Sequence, residues 1–216
     1  MKSKFLLLIL LSVFLFDLFF IWYDNTGARF FTKTLLLPLL MVIYLHQTLR
    51  DEVFHRSLIS RTFLAGLIFS FFGDLFLLFS WGLLPGLGSF LAAHICYILC
   101  FLRLKKFVPS VSATVAVLVY LGATIFLLYP HLFEMKIPVI IYAVANSLML
   151  WLSTGTGQKL LVFGALFFVL SDTILAVNLF VKPDLIFRLL VMITYVTAQF
   201  LLVRGIVKAN RNLITS

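Results

Sequence analysis

A chain of 216 residues that is 63% hydrophobic and only 12% charged, with a mean hydropathy of +1.15, carries more apolar surface than one water-soluble core can hide. The expected class is a polytopic membrane protein. The formal net charge is +9, but the basic residues stand singly between apolar runs rather than in a patch, which speaks against a nucleic-acid partner.

Apolar stretches of about 17–22 residues recur, the length needed to cross roughly 30 Å of hydrocarbon. The first, 5–23, follows Lys2 and Lys4 and ends in the aromatics "FFIWY". It is longer than the apolar region of a signal peptide and reads as a transmembrane helix that stays attached. The second, 32–48, opens with Lys33 on the outer side and contains Pro38; the third, 61–80, holds Asp74. The fourth, 84–102, carries His94, Tyr97 and the two cysteines, Cys96 and Cys100. The cysteines form no CxxC and read as small packing residues. The remaining spans are 111–129, 137–153 with Tyr142 and Asn146, 160–181 with Ser171 and Asp172, and 186–206 with Tyr195 and Gln199. The expectation is an all-α bundle of eight transmembrane helices forming a single transmembrane domain over 1–216, with connections too short for an extramembrane domain.

Eight spans put both termini on one side. Lys2, Lys4, Arg50, Arg56, Arg61, Arg103, Lys105, Lys106, Lys159, Arg204, Lys208 and Arg211 fall on that side, and Arg29, Lys33, Lys136, Lys182 and Arg188 on the other. Twelve basic residues against five orient both termini to the cytoplasm. Short loops suggest a bacterial inner membrane. "FSFFGDLFLL" at 69–78 aligns with "FFVLSDTILA" at 167–176, so helices 1–4 and 5–8 would form a parallel four-helix repeat.

Ionisable residues inside a span are expensive and usually face the bundle interior or a wet cavity. Asp74 lies 13 residues beyond Arg61, and Asp172 lies 13 beyond Lys159; at 1.5 Å per residue each sits roughly 20 Å from the cytoplasmic end. His94 and Tyr195, descending from the outer side, reach a similar depth. The pairs His94/Tyr97, Tyr142/Asn146 and Tyr195/Gln199 each share a helix face at three- or four-residue spacing. These groups predict a polar pocket walled by helices 2, 3, 4, 6, 7 and 8. Asn146 or Gln199 alone could equally be hydrogen-bonded glue between helices, and His94 alone a satisfied core residue. Asp17, near the end of helix 1, is expected to reach only the interface. No HExxH, nucleophile elbow or phosphate-binding loop is present; "GTGQKL" at 155–160 is an interhelical turn, and His46, His55, His94 and His131 are dispersed.

Four segments together, "FSFFGDLFLL", "FLAAHICYI" at 90–98, "GALFFVLSDTILA" at 164–176 and "YVTAQFLL" at 195–202, resemble the YhhN-like lysoplasmalogenase family, in order and across essentially the whole chain. The resemblance implies an eight-helix membrane protein that hydrolyses the vinyl ether bond of lysoplasmalogens to a fatty aldehyde and a glycerophospho-base. One departure stands out: the family opens its second helix with Lys-Pro, whereas "TKTLLLPLL" at 32–40 has Thr34 after Lys33 and its proline at Pro38.

The residues suit that chemistry. Vinyl ether hydrolysis needs an acid to protonate carbon, an anion to steady the oxocarbenium ion, and water. Burial and a like-charged neighbour keep one carboxyl of a pair protonated. Asp74 and Asp172 are the expected acid and anion, in either order. His94, Tyr97, Tyr142, Asn146, Ser171, Tyr195 and Gln199 support them, and Lys33 is expected to hold the lysophospholipid phosphate. No cofactor and no metal is required. Paired membrane carboxylates serve proton relays as well, so a proton-coupled transporter or flippase is the competing reading. A lipid-binding scaffold, whose aspartates would tolerate asparagine, is the third.

Overall fold

The computed structural model describes residues 2–49, 57–104 and 106–214. Of the basic residues counted above, Arg50, Arg56 and Lys105 lie outside the described residues, as does His55. Among the described residues eight helices are long and apolar enough to cross a membrane, which makes this an integral membrane protein. They are α1 (Lys2–Trp22), α2 (Thr26–Thr48), α3 (Leu58–Phe76), α4 (Leu83–Leu104), α5 (Val111–Leu128), α6 (Lys136–Thr154), α7 (Lys159–Ala176) and α8 (Leu185–Ile214). Helix α7 continues into a π-helical turn, Val177–Val181.

Local chemistry sets several helix ends. The Asn25 side chain accepts from the Ala28 N–H and caps α2, and Ser57 and Ser110 do the same for α3 and α5. Helix α2 therefore starts six residues before the expected position at 32. Lys33 does not open it but sits two turns in, buried. Arg29, inside the helix, lines an internal cleft. Pro38 lies inside a continuous α2. It costs the Thr34 carbonyl its N–H partner without breaking the helix.

The helices pair in a repeating order. Within the first half α1 packs on α2, α2 on α3 and α3 on α4; in the second, α5 packs on α6, α6 on α7 and α7 on α8. The halves join through α4–α6, α2–α8 and α1–α8. One constant offset relates Tyr44 to Tyr142, Gly66 to Gly164, Asp74 to Asp172 and Tyr97 to Tyr195. The tightest pairs, α3–α4 and α7–α8, need glycine. A Cβ on Gly73 would lie 2.6 Å from the Phe90 ring, and one on Gly164 would lie 2.9 Å from Leu202. Helices α1 and α5, the first of each half, are the most peripheral, with 17% and 11% of their spans buried. Their outward faces are Leu, Val and Phe, as hydrocarbon requires.

Candidate active site

The interior of an apolar bundle can hold a charge only where a partner or hydrogen bonds meet it. Both central aspartates meet that condition, in different ways. Asp74 on α3 is 4% exposed. Its Oδ1 lies 3.4 Å from Lys33 Nζ on α2, and its Oδ2 accepts a hydrogen bond from the Tyr195 hydroxyl on α8 at 2.7 Å. Asp172 on α7 has no lysine or arginine within salt-bridge distance among the described residues. Its Oδ2 accepts from the Tyr142 hydroxyl at 2.7 Å and from Asn146 Nδ2 at 3.0 Å, both on α6.

His94 completes the Asp172 surroundings. Its Nδ1 is 2.7 Å from the Phe90 carbonyl. A carbonyl only accepts, so Nδ1 carries a proton, and in the neutral ring Nε2 is a bare acceptor. That Nε2 is fully buried without a hydrogen bond and faces Asp172 Oδ2 at 3.6 Å. Two acceptors face each other there, at a distance longer than a hydrogen bond.

Behind Tyr195 runs a chain of polar groups. Gln199 Nε2 donates to the Tyr195 hydroxyl at 3.4 Å, Tyr97 donates to Gln199 Oε1 at 3.0 Å, and Ser70 lies 3.3 Å from the Tyr97 hydroxyl. Ser70, Tyr97 and Gln199 have no exposed surface, so they brace Tyr195 from below rather than line the cleft. Ser171 lines the cleft wall, and its hydroxyl donates to the Val191 carbonyl, tying α7 to α8.

Two cavities meet at these acids. A polar cleft is lined by Arg29, Lys33, Asp74, Ser171, Asp172, Asn178, Arg188 and Tyr195. An apolar chamber is lined by Leu83, Leu87, Val139, Tyr142, Ala176 and Phe180. Leu77, Phe90, Asp172, Leu175 and Leu179 belong to both. Asp172 is thus at the junction of a charged space and a greasy one. The π-helical turn after α7 supplies Asn178 and Leu179 to the cleft; such turns recur at functional sites.

The structure brings Lys33, Asp74, His94, Tyr142, Asn146, Ser171, Asp172 and Tyr195 around this junction, with Tyr97 and Gln199 one layer deeper. It corrects the expectation for Asp17, which is fully buried rather than interfacial and accepts from Thr32 Oγ1 at 2.8 Å. Sequence reasoning missed Arg29 and Arg188, read only as topology charges, and the aromatic packing around the acids. The Phe168 ring lies 4.9 Å from His94 and 5.5 Å from Tyr195. Phe168 is four residues before Asp172, and Phe90 four before His94, so the helical same-face rule could have found both.

The sequence pattern of the YhhN family matches residues 28–206. The chain belongs to the YhhN family. Curated relatives include the lysoplasmalogenase TMEM86B of Sus scrofa, 37% identical over 138 residues, which covers 63% of this chain and 59% of that protein. The lysoplasmalogenase TMEM86B of Homo sapiens is 32% identical over the same shares. The lysoplasmalogenase of Mycobacterium bovis is 30% identical over 134 residues, 58% of this chain and 51% of that protein. The YhhN chain therefore spans between half and three-fifths of the length of these relatives. No solved structure matches it.

Proposed function

We propose that the protein is a lysoplasmalogenase, hydrolysing the vinyl ether of a lysophospholipid held in the membrane. The observation that carries this reading is the unequal setting of two buried carboxyls on one cleft. Asp74 is paired with Lys33 and Tyr195. Asp172 lacks a cation, faces the bare Nε2 of His94 and borders the apolar chamber. A lysyl partner keeps Asp74 as the anion, and its absence keeps Asp172 as the acid. The named activity of the curated relatives supports the same reading.

The steps follow from those roles. The alkenyl chain lies in the apolar chamber and the glycerol and phosphate in the polar cleft. Asp172 gives its proton to the chain-side carbon of the vinyl ether, and the adjacent carbon becomes an oxocarbenium ion. Water forms a bond to that carbon and yields a proton to Asp74. The hemiacetal then collapses. Its hydroxyl proton returns to Asp172, the carbon–oxygen bond to glycerol breaks, and the leaving oxygen takes the proton held by Asp74. One water is consumed, and both acids regain their starting states. General acid catalysis of this kind contributes about 10²–10⁴ in rate.

The basic-residue distribution supports cytoplasmic termini, and the short connections fit a bacterial inner membrane. The cleft would then open toward the outer half, beside the α1–α2 and α7–α8 turns. Reporter fusions at each terminus test that orientation.

The activity test uses the purified protein in detergent with lysoplasmenylethanolamine and its saturated alkyl-ether analogue. Aldehyde released from the vinyl ether alone is the expected result. A folded sample that releases none, across several head groups, overturns the reading and favours transport.

A further inference from the structure

Lys33 is the residue that the sequence reading assigns to the substrate phosphate, but its Nζ is occupied. It is buried and paired with Asp74 at 3.4 Å. The cleft carries two more cations, Arg29 and Arg188. Arg29 is four residues before Lys33 on α2, so it shares that face one turn nearer the α1–α2 end, about 6 Å away. Arg188 enters from the first turn of α8 at the same end of the bundle.

Both guanidinium groups have unused capacity. Arg29 Nε is buried with no hydrogen-bond partner. Arg188 pairs through Nη1 with Asp24 at 2.8 Å, and the Asp24 side chain is 72% exposed, so that bond is easily exchanged for a better one. Two planar forks over one polar space match the geometry of a phosphodiester anion better than a single ammonium does. Their placement also fits the spacing of the lipid. A glycerol unit separates phosphate from vinyl ether, and one helical turn separates Arg29 from the residue that touches Asp74.

We propose that Arg29 and Arg188 form the anion subsite that takes the phosphate of a lysophospholipid at the mouth of the cleft. Lys33 acts below them as the partner that holds Asp74. This assignment rests on the lysoplasmalogenase reading for its substrate class, but the subsite can be read without turnover. The head group recognised is a phosphodiester, and an alkenylglycerol without phosphate lacks the group both arginines meet.

The test is direct binding in detergent of two unreactive probes, an alkyl-ether lysophosphoethanolamine and the matching alkylglycerol. The wild type is expected to prefer the phosphate-bearing probe, and Arg188→Gln and Arg29→Gln should each shrink that preference about tenfold. Arg29→Lys, which keeps the charge, should retain most of it. Equal affinity of the wild type for both probes overturns the proposal, and so does an unchanged ratio in folded Arg188→Gln. If the arginine dependence appears but no vinyl ether is cleaved, the anion subsite stands and the hydrolase reading falls.

Discussion

Asp74 and Asp172 occupy corresponding places in the two halves of the chain, yet their neighbours differ in kind. On the first side α8 presents Tyr195 to Asp74, and α2 adds Lys33. On the second side the helix corresponding to α8 is α4, and the residue corresponding to Tyr195 is Tyr97. Tyr97 does not reach Asp172; it turns to Gln199 and Ser70. One turn earlier, His94 takes its place against Asp172, where α8 has the thioether of Met192. The comparison teaches how a repeated scaffold yields two unlike acids. The backbone supplies matched positions, and a lysine on one side with a histidine on the other gives the two carboxyls the unlike settings on which the proposed roles of anion and proton donor rest.

The largest expected effect comes from removing the proton. Asp172→Asn should lower aldehyde release about 10³-fold. The variant should fold, because an amide oxygen in the place of Oδ2 still accepts from Tyr142 and Asn146. Full turnover by a folded Asp172→Asn protein would erase the assigned difference between the two acids.

Asp74→Asn should act on stability as well as rate. It leaves the Lys33 ammonium buried without its carboxylate, a change that costs about 3 kcal/mol when one partner of a buried pair is lost. Adding Lys33→Met should recover most of the thermal stability and none of the activity. If the double variant is as unstable as the single one, Lys33 is not the group that makes Asp74 an anion.

How much of this was readable beforehand depended on contrast. A carboxylate in a run of Phe and Leu stands out, and helix rise places it in depth, so Asp74, Asp172 and His94 were legible as one layer. The eight spans were legible because hydrocarbon thickness sets their length. Arg29 and Arg188 were not, since a charge near a span end is also what topology demands. Lys33 was seen, but its pairing was hidden by a helix start placed too late, a start that the Asn25 cap moves to Thr26. Phe90 and Phe168 had no contrast with their apolar surroundings. That His94 rather than Tyr97 meets Asp172 depends on the rotation of α4 about its axis, which spacing alone leaves open.

The tyrosines sharpen the comparison at intermediate scale. Tyr195→Phe removes the hydroxyl that donates to Asp74, and Tyr142→Phe removes its counterpart at Asp172. A hydrogen bond to a charged acceptor contributes about 1.5–3 kcal/mol, against about 1 kcal/mol for a neutral one. Tyr195→Phe should therefore destabilise the protein more. Tyr142→Phe is further buffered, because Asn146 donates to the same Asp172 oxygen. Thermal midpoints of the two variants, measured side by side in one detergent, decide the order. A larger loss in Tyr142→Phe would reverse the assignment of anion and acid.

The smallest expected effect lies one layer down. Tyr97→Phe keeps the ring that packs near Phe63 and Phe168 and deletes only the hydroxyl between Ser70 and Gln199. Gln199 Oε1 then loses its donor inside a site closed to solvent, which should cost about 1–3 kcal/mol as an unsatisfied buried acceptor. Gln199 also donates to Tyr195, so its loosening reaches Asp74 only through two further bonds. Turnover should fall by about threefold, under 1 kcal/mol on the barrier. A loss as large as that of Tyr195→Phe would mean that the Ser70–Tyr97–Gln199 chain is part of the proton path and not merely its brace.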